Sequence, residues 1–280
     1  MKDTLSLQPD SISKTPNCLL PAARCPLPLM AHLVLGYPTL AESLRTAEAY
    51  IAAGCEILEL QIPFSHPTAD GPLITEACRH AVEKNGVDIE ACLELVAEIR
   101  RRHPQQNIVM MSYINPLFVF GLEKIAEKLL ALCINYLIVP DLPVDSLQAA
   151  LLQNPNSKLQ TPTSLQLIPV LAANVTDQRL EKLLTAGFDF FYLMSDFKIT
   201  GATFSLHPRL NAIITRLHAA GARCGIGFGI STPQQAKLAV EVCGLAIVGS
   251  AFIRARNENR LQHCLDEWQN AFNPQPPAAF

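Results

Sequence analysis

From about residue 29 onward, short and continuously apolar runs alternate with longer amphipathic stretches. The apolar runs fall at 31–35, 57–62, 108–112, 136–139, 166–171, 188–194, 223–227 and 245–248. They are apolar at successive positions rather than every second one, the pattern of parallel strands covered on both faces. Helical spacing between them predicts helices over 40–53, 88–102, 117–132, 177–186, 208–220, 233–242 and 257–271. Gly54, Gly187 and Gly221 follow helical runs, and Pro143, Pro208 and Pro233 open the next ones. Eight strands, seven of them followed by a predicted helix, make roughly eight β–α units in a row and predict one closed (β/α)8 TIM barrel in a single domain. The structural alternative is a doubly wound open sheet. Its dinucleotide fingerprint belongs after the first strand, where this chain reads Gly36-Tyr37-Pro38 with no G-x-G-x-x-G.

Three segments stand outside the repeat. Residues 1–27 carry Ser, Pro and Leu without periodicity and are expected to form an irregular arm. The barrel is expected to occupy 28–272, with a frayed tail over 273–280 and a surface loop over 154–164. A length of 280 residues suits one barrel of this kind. Hydrophobic residues at 49% and charged residues at 17% supply a large core. The net charge of -3 gives no basic field for nucleic acid or an anionic membrane, so neither is an expected partner. Any phosphate must then be held locally, by backbone dipoles. The nine cysteines form no C-x-x-C pair, so no metal site is expected, and most sit among aliphatic residues as small buried hydrophobes. No run of about 20 apolar residues appears, and prolines interrupt 18–29, so neither a membrane span nor a signal peptide is expected. The expected location is the cytoplasm.

The second strand and its loop are the most informative stretch. Side chains alternate along a strand, so Leu58, Leu60 and Ile62 share one face and Ile57, Glu59 and Gln61 the other. With the first set toward the helices, Glu59 points into the lumen near the carboxyl end, where barrel active sites lie. A lumenal carboxylate has two readings, a member of a structural network or an acid–base catalyst. Asp70, eleven residues on, sits in an Asp-Gly-Pro sequence that is also an ordinary turn. Late in the chain, Gly227-Phe228-Gly229 and Gly249-Ser250 each follow a strand and open a helix. Such glycines serve as plain turns or as a phosphate cradle, and two at consecutive loops favour phosphate. Thr200-Gly201 after the sixth strand is placed to complete that cradle.

These motifs carry a resemblance. The stretch 59–72, E-L-Q-I-P-F-S-H-P-T-A-D-G-P, resembles the signature of the tryptophan synthase α subunit family. Tyr113-Ile114-Asn115-Pro116, the 139–143 motif, Tyr192-Leu193, Thr200-Gly201-Ala202, the 227–231 motif and Gly249-Ser250-Ala251 follow in that family's order. The resemblance implies a lyase that cleaves indole-3-glycerol phosphate to indole and glyceraldehyde 3-phosphate by a retro-aldol reaction in tryptophan biosynthesis. It implies Glu59 as general acid and base and Asp70 as the carboxylate at the indole N–H. It implies substrate binding by Tyr113, Tyr192, Thr200, Gly201, Gly227, Phe228, Gly229, Gly249 and Ser250, with Met111, Ile138 and Leu171 as apolar wall. No cofactor is implied for this chain; pyridoxal phosphate belongs to a β subunit, the implied partner in an α2β2 heterotetramer.

Four positions depart from that pattern. Gln61 stands where glycine is usual, and its amide is placed to bond Glu59 and hold it ionised. His66 replaces an aspartate on the loop that meets the β subunit, Asp196 and Lys198 alter the sixth-strand loop, and 172–174 read Ala-Ala-Asn. Three readings therefore stand: a working lyase, a weakly active or inactive α-like subunit that regulates a β partner, and another phosphate-binding barrel isomerase. His32 and Tyr37 are at the mouth side of the first strand without an assigned role.

Overall fold

The structure, a computed structural model, describes residues 27–146, 165–194, 208–227 and 229–273. Its strands are β1 (Leu27–Val34), β2 (Cys55–Gln61), β3 (Asn107–Met111), β4 (Tyr136–Ile138), β5 (Gln166–Leu167), β6 (Val170–Ala172), β7 (Phe190–Met194), β8 (Arg223–Gly227) and β9 (Ala246–Val248). All pair in parallel, in the order β5-β4-β3-β2-β1-β9-β8-β7-β6. The two ends of that order, β5 and β6, are successive pieces of one strand separated by Ile168 and Pro169. Proline has no N–H for a ladder, which accounts for the interruption. Across it, the Ile168 N–H still donates to the Leu137 carbonyl at 3.0 Å, and the Pro169 carbonyl accepts from the Tyr192 N–H at 2.9 Å. The fifth strand thus touches both neighbours and closes the ring as a (β/α)8 TIM barrel.

The helices are α1 (Leu40–Ala52), α2 (Pro72–Arg79), α3 (Ile89–Arg102), α4 (Ile114–Phe120), α5 (Leu122–Ala131), α6 (Asp177–Thr185), α7 (Pro208–Ala219), α8 (Pro233–Cys243), α9 (Ser250–Asn257) and α10 (Leu261–Phe272). Their starts follow local chemistry. Thr39, Asp88 and Thr176 accept hydrogen bonds from backbone N–H groups of α1, α3 and α6, and Thr232 with Gln235 forms a capping box at α8. The predicted helix over 117–132 is two helices, because Gly121 at φ +104° breaks the run. The stretch predicted as one helix over 257–271 begins earlier, as α9, and restarts as α10. Helix α2 and the π-helical turn His80–Lys84 after it are absent from the expected elements.

Two apolar layers result. One packs between sheet and helices and includes Leu58, Leu60 and Phe252; the other fills the lumen with Met30, Ile57, Val109, Met111, Ile138 and Ile247. Leu171 belongs to the outer layer, so its expected place on the pocket wall is corrected; Val170, one residue earlier, faces inward. Tyr50 of α1, Phe252 of α9 and Trp268 of α10 stack in series, with ring centroids 5.2 and 5.0 Å apart. This stack fixes α9 against β1, and with it the position of the α9 N-terminus. Five of the seven described cysteines are buried, and all seven are free thiols. Among the described residues, no helix is long and apolar enough to cross a membrane. The predicted arm apart from Leu27, the tail apart from Asn273, and the 154–164 loop lie outside the described residues.

Candidate functional site

A cavity of about 460 Å³ opens at the carboxyl ends of the strands. That volume falls within the usual range for small-molecule sites, about 300–1,000 Å³. Met111, Ile138, Val170, Tyr192 and Ile247 give it an apolar wall, and Glu59 and Asp70 both reach its surface.

Glu59 is 3% exposed, and its Oε2 makes no hydrogen bond to the described residues. Removal from water pushes its carboxyl up to about 8, and the nearby charge of Asp70 adds to the rise. Glu59 is thus a neutral acid at neutral pH, with a proton to give. Asp70 has an opposite environment. Its Oδ2 accepts from the Gln61 Nε2 amide at 2.8 Å and from the Tyr113 hydroxyl at 2.9 Å. Tyr113 is itself held by the Ala69 N–H, 2.9 Å from its oxygen. The loop that carries Asp70 is therefore pinned from β2 and from the end of β3.

The expected bond from Gln61 to Glu59 is corrected. Fully buried Gln61 bridges His32 and Asp70, its Oε1 lying 2.7 Å from His32 Nε2. Because the amide nitrogen of Gln61 faces a carboxylate, its oxygen must face His32, and His32 Nε2 carries the hydrogen. His32 Nδ1 is then a bare lone pair, buried and without a hydrogen bond among the described residues. Burial lowers the pKa of His32, against the charge of Asp70 and the bond from Gln61.

On the other flank of β1 around the mouth, Gly229, Ser231, Gly249 and Ser250 line the cavity where β8 and β9 lead into helices. The first N–H groups of α9 have no carbonyl of their own helix to bond. Arg254 of α9 also lines the cavity and makes no ion pair among the described residues. Tyr113 and Gly227 stand one layer back from the cavity. A Cβ on Gly227 would lie 2.3 Å from the Tyr192 hydroxyl oxygen, so the glycine there makes room for Tyr192. Burial, then the charges of Glu59 and Asp70, holds the Tyr192 phenol well above its ordinary range. Thr200, Gly201 and Phe228, and the Asp196 and Lys198 substitutions, lie outside the described residues. Sequence reasoning left His32 and Arg254 unassigned. An inward polar residue on β1 was the available signal for the first; the second had none beyond its helical distance from Ser250.

Comparison with known proteins gives a consistent result. A family model described as tryptophan synthase alpha chain matches residues 25–275. The chain is 34% identical over 233 residues to the tryptophan synthase alpha chain of Methanosarcina barkeri, covering 83% of this chain and 84% of that one. It is 35% identical over 226 residues to that of Chloroflexus aggregans, covering 80% and 82% respectively. Among solved structures, tryptophan synthase from M. tuberculosis in its aminoacrylate-bound form superposes with a TM-score of 0.74 at 28% identity, covering 88% of this chain and 93% of that one.

Proposed function

The chain belongs to the tryptophan synthase alpha chain family, and from that premise we propose that Glu59 and Asp70 are its acid–base pair. The chain is a lyase that cleaves indole-3-glycerol phosphate to indole and glyceraldehyde 3-phosphate. The two other readings from the sequence, an inactive regulator and a different isomerase, draw no support from its relatives.

The observation that carries the assignment is the contrast between the two carboxyl groups in one cavity: Glu59 is held neutral, whereas Asp70 accepts two donors. A neutral Glu59 gives its proton to indole C3. The ring nitrogen becomes electron-poor, and Asp70 accepts the hydrogen bond from its N–H and stabilises that charge. The bond from C3 to the side chain then breaks as the adjacent hydroxyl loses its proton. Gly229, Gly249 and Ser250 line the side of the cavity suited to the phosphate, which backbone N–H groups at a helix start would hold. Thr200, Gly201 and Phe228 complete the set by family resemblance, and Tyr113 serves by fixing Asp70. The steps use protein groups throughout. We further propose that the chain works with a tryptophan synthase β subunit, as an α2β2 assembly in the cytoplasm, with pyridoxal phosphate on the β side.

The test is indole release from indole-3-glycerol phosphate by the purified chain, alone and with a β subunit. Turnover that Glu59→Gln abolishes is the expected result. Undiminished turnover by Glu59→Gln would overturn the assignment.

A further inference from the structure

Among the described residues, two buried polar atoms lack partners at this mouth, Glu59 Oε2 and His32 Nδ1. Their strands are adjacent, and His32 is the register partner of Glu59 between β1 and β2. On its other side β1 pairs with β9, with Ala31 opposite Val248. His32 therefore sits beside Gly249, where an added Cβ would lie 3.2 Å from Nδ1. In order around the barrel come a carboxyl that gives a proton, an imidazole lone pair, and the glycine-serine turn that suits a phosphate. Indole-3-glycerol phosphate has the same order: ring carbon C3, the hydroxyl-bearing carbon, and the phosphate end.

We infer that His32 is a second catalytic residue, the base that takes the side-chain hydroxyl proton while Glu59 acts as the acid at C3. This inference rests on the reading of the chain as the lyase. The step balances. The Glu59 proton forms the new bond to C3. When the bond from C3 to the hydroxyl-bearing carbon breaks, its electron pair returns to the ring and neutralises the iminium nitrogen. The O–H pair becomes the second bond of the aldehyde, and the proton goes to Nδ1. Passing that proton from His32 to the Glu59 carboxylate restores both groups.

The hydrogen bond from Nε2 to Gln61 survives protonation at Nδ1, since the Gln61 oxygen accepts in either state. The Gln61 bridge to Asp70 then stabilises the imidazolium through a nearby carboxylate. The groups that bear on His32 are Glu59 on β2, Asp70 on the loop after it, Tyr192 on β7, Arg254 on α9 and the Tyr50 hydroxyl of α1, which donates to the His32 carbonyl at 3.4 Å. Of these, Asp70 favours the charged imidazole, and burial opposes it. A lone pair at neutral pH is the outcome, as a base requires.

The experiment compares His32→Phe and His32→Gln with the unmodified chain in two reactions. One is cleavage of indole-3-glycerol phosphate. The other is exchange of the indole C3 hydrogen in D2O, followed by NMR, which needs the Glu59 proton but no hydroxyl. His32→Gln keeps a donor for Gln61 and so separates loss of the base from loss of the bridge. Both variants should lose about 100-fold in kcat for cleavage, lose the acidic limb of the kcat–pH profile, and keep exchange within about threefold. Cleavage by His32→Gln within about twofold of the unmodified chain overturns the proposal, as does an equal fall in both reactions. An unmodified chain that cannot cleave the substrate overturns the lyase reading and this proposal together. Cleavage that is indifferent to His32 overturns this one alone.

Discussion

On the β1–β3 side of the mouth, side chains meet side chains: His32, Gln61, Asp70 and Tyr113 form one connected chain of hydrogen bonds. On the β8–β9 side, glycines and a helix start line the same cavity, and what they offer is backbone. The difference matches what each half has to recognise. Proton transfer needs groups with tuned acidity, and tuning comes from specific neighbours and burial. A phosphate needs several N–H donors at short range, and a Cβ would stand in their way. The first half is therefore sensitive to which residues surround an acid, the second to whether there is room.

The strongest test of this division is Glu59→Gln, which should cut indole release by about 100-fold to 10,000-fold while leaving substrate binding nearly unchanged. A matching rise in KM would mean that the acid side also carries binding. The same variant should report on stability. The folded carboxyl titrates near 8, against about 4.5 when unfolded, so the protonated native state is favoured fully below pH 4.5. That advantage is lost as pH rises to 8, at up to about 1.4 kcal/mol per unit. Glu59→Gln should accordingly match the parent at pH 4 and exceed it by about 2 kcal/mol or more at pH 8 in denaturant unfolding. A gap that is independent of pH would show that Glu59 ionises freely.

Gly227→Ala probes the space-limited half. The new methyl overlaps Tyr192 and should cost about 1–3 kcal/mol of stability by denaturant titration, with a rise in KM. A neutral result would mean that Tyr192 has somewhere to go. Tyr113→Phe returns to the acid side, removing a donor to Asp70 and the acceptor for the Ala69 N–H. A fall of about tenfold in kcat/KM is expected, from a net effect on the order of 1.4 kcal/mol. The smallest change should come from Arg254→Ala. An exposed cation at the phosphate side should alter KM by roughly two- to fivefold at low salt, and less at high salt. A larger effect that salt does not reduce would mean a direct contact with the phosphate.

The sequence announces the barrel because strands buried on both faces are apolar throughout, and that signal survives without any alignment. Glu59 is legible for a related reason: strand alternation alone turns it inward. Asp70 becomes legible through its motif, since Asp-Gly-Pro is equally a turn. The network behind it is hidden. Alternation states which face Gln61 occupies but not what stands across that face, and the partner proved to be His32, 29 residues away, rather than Glu59. Breaks inside elements were likewise obscured. Gly121 sits between two helical stretches that read as one amphipathic run, and Pro169 lies within a stretch apolar enough to pass for one strand. Helix α2 is short, follows a turn motif and ends in a π-helical turn, so its period never establishes itself.

The interruption at Pro169 has a consequence for how the barrel breathes. Strands β1 and β2 share six paired positions, whereas β4 and β5 share two and β6 and β7 three. A strand held in two short pieces, with a proline that donates no ladder hydrogen bond between them, opens more readily than strands paired without such a break. Amide hydrogens along the fifth strand should therefore exchange with solvent at lower opening free energies than those of β1 and β2. The seam lies diametrically across the ring from His32 and Glu59, so the barrel can loosen at its far wall while the proton-transfer groups keep their register.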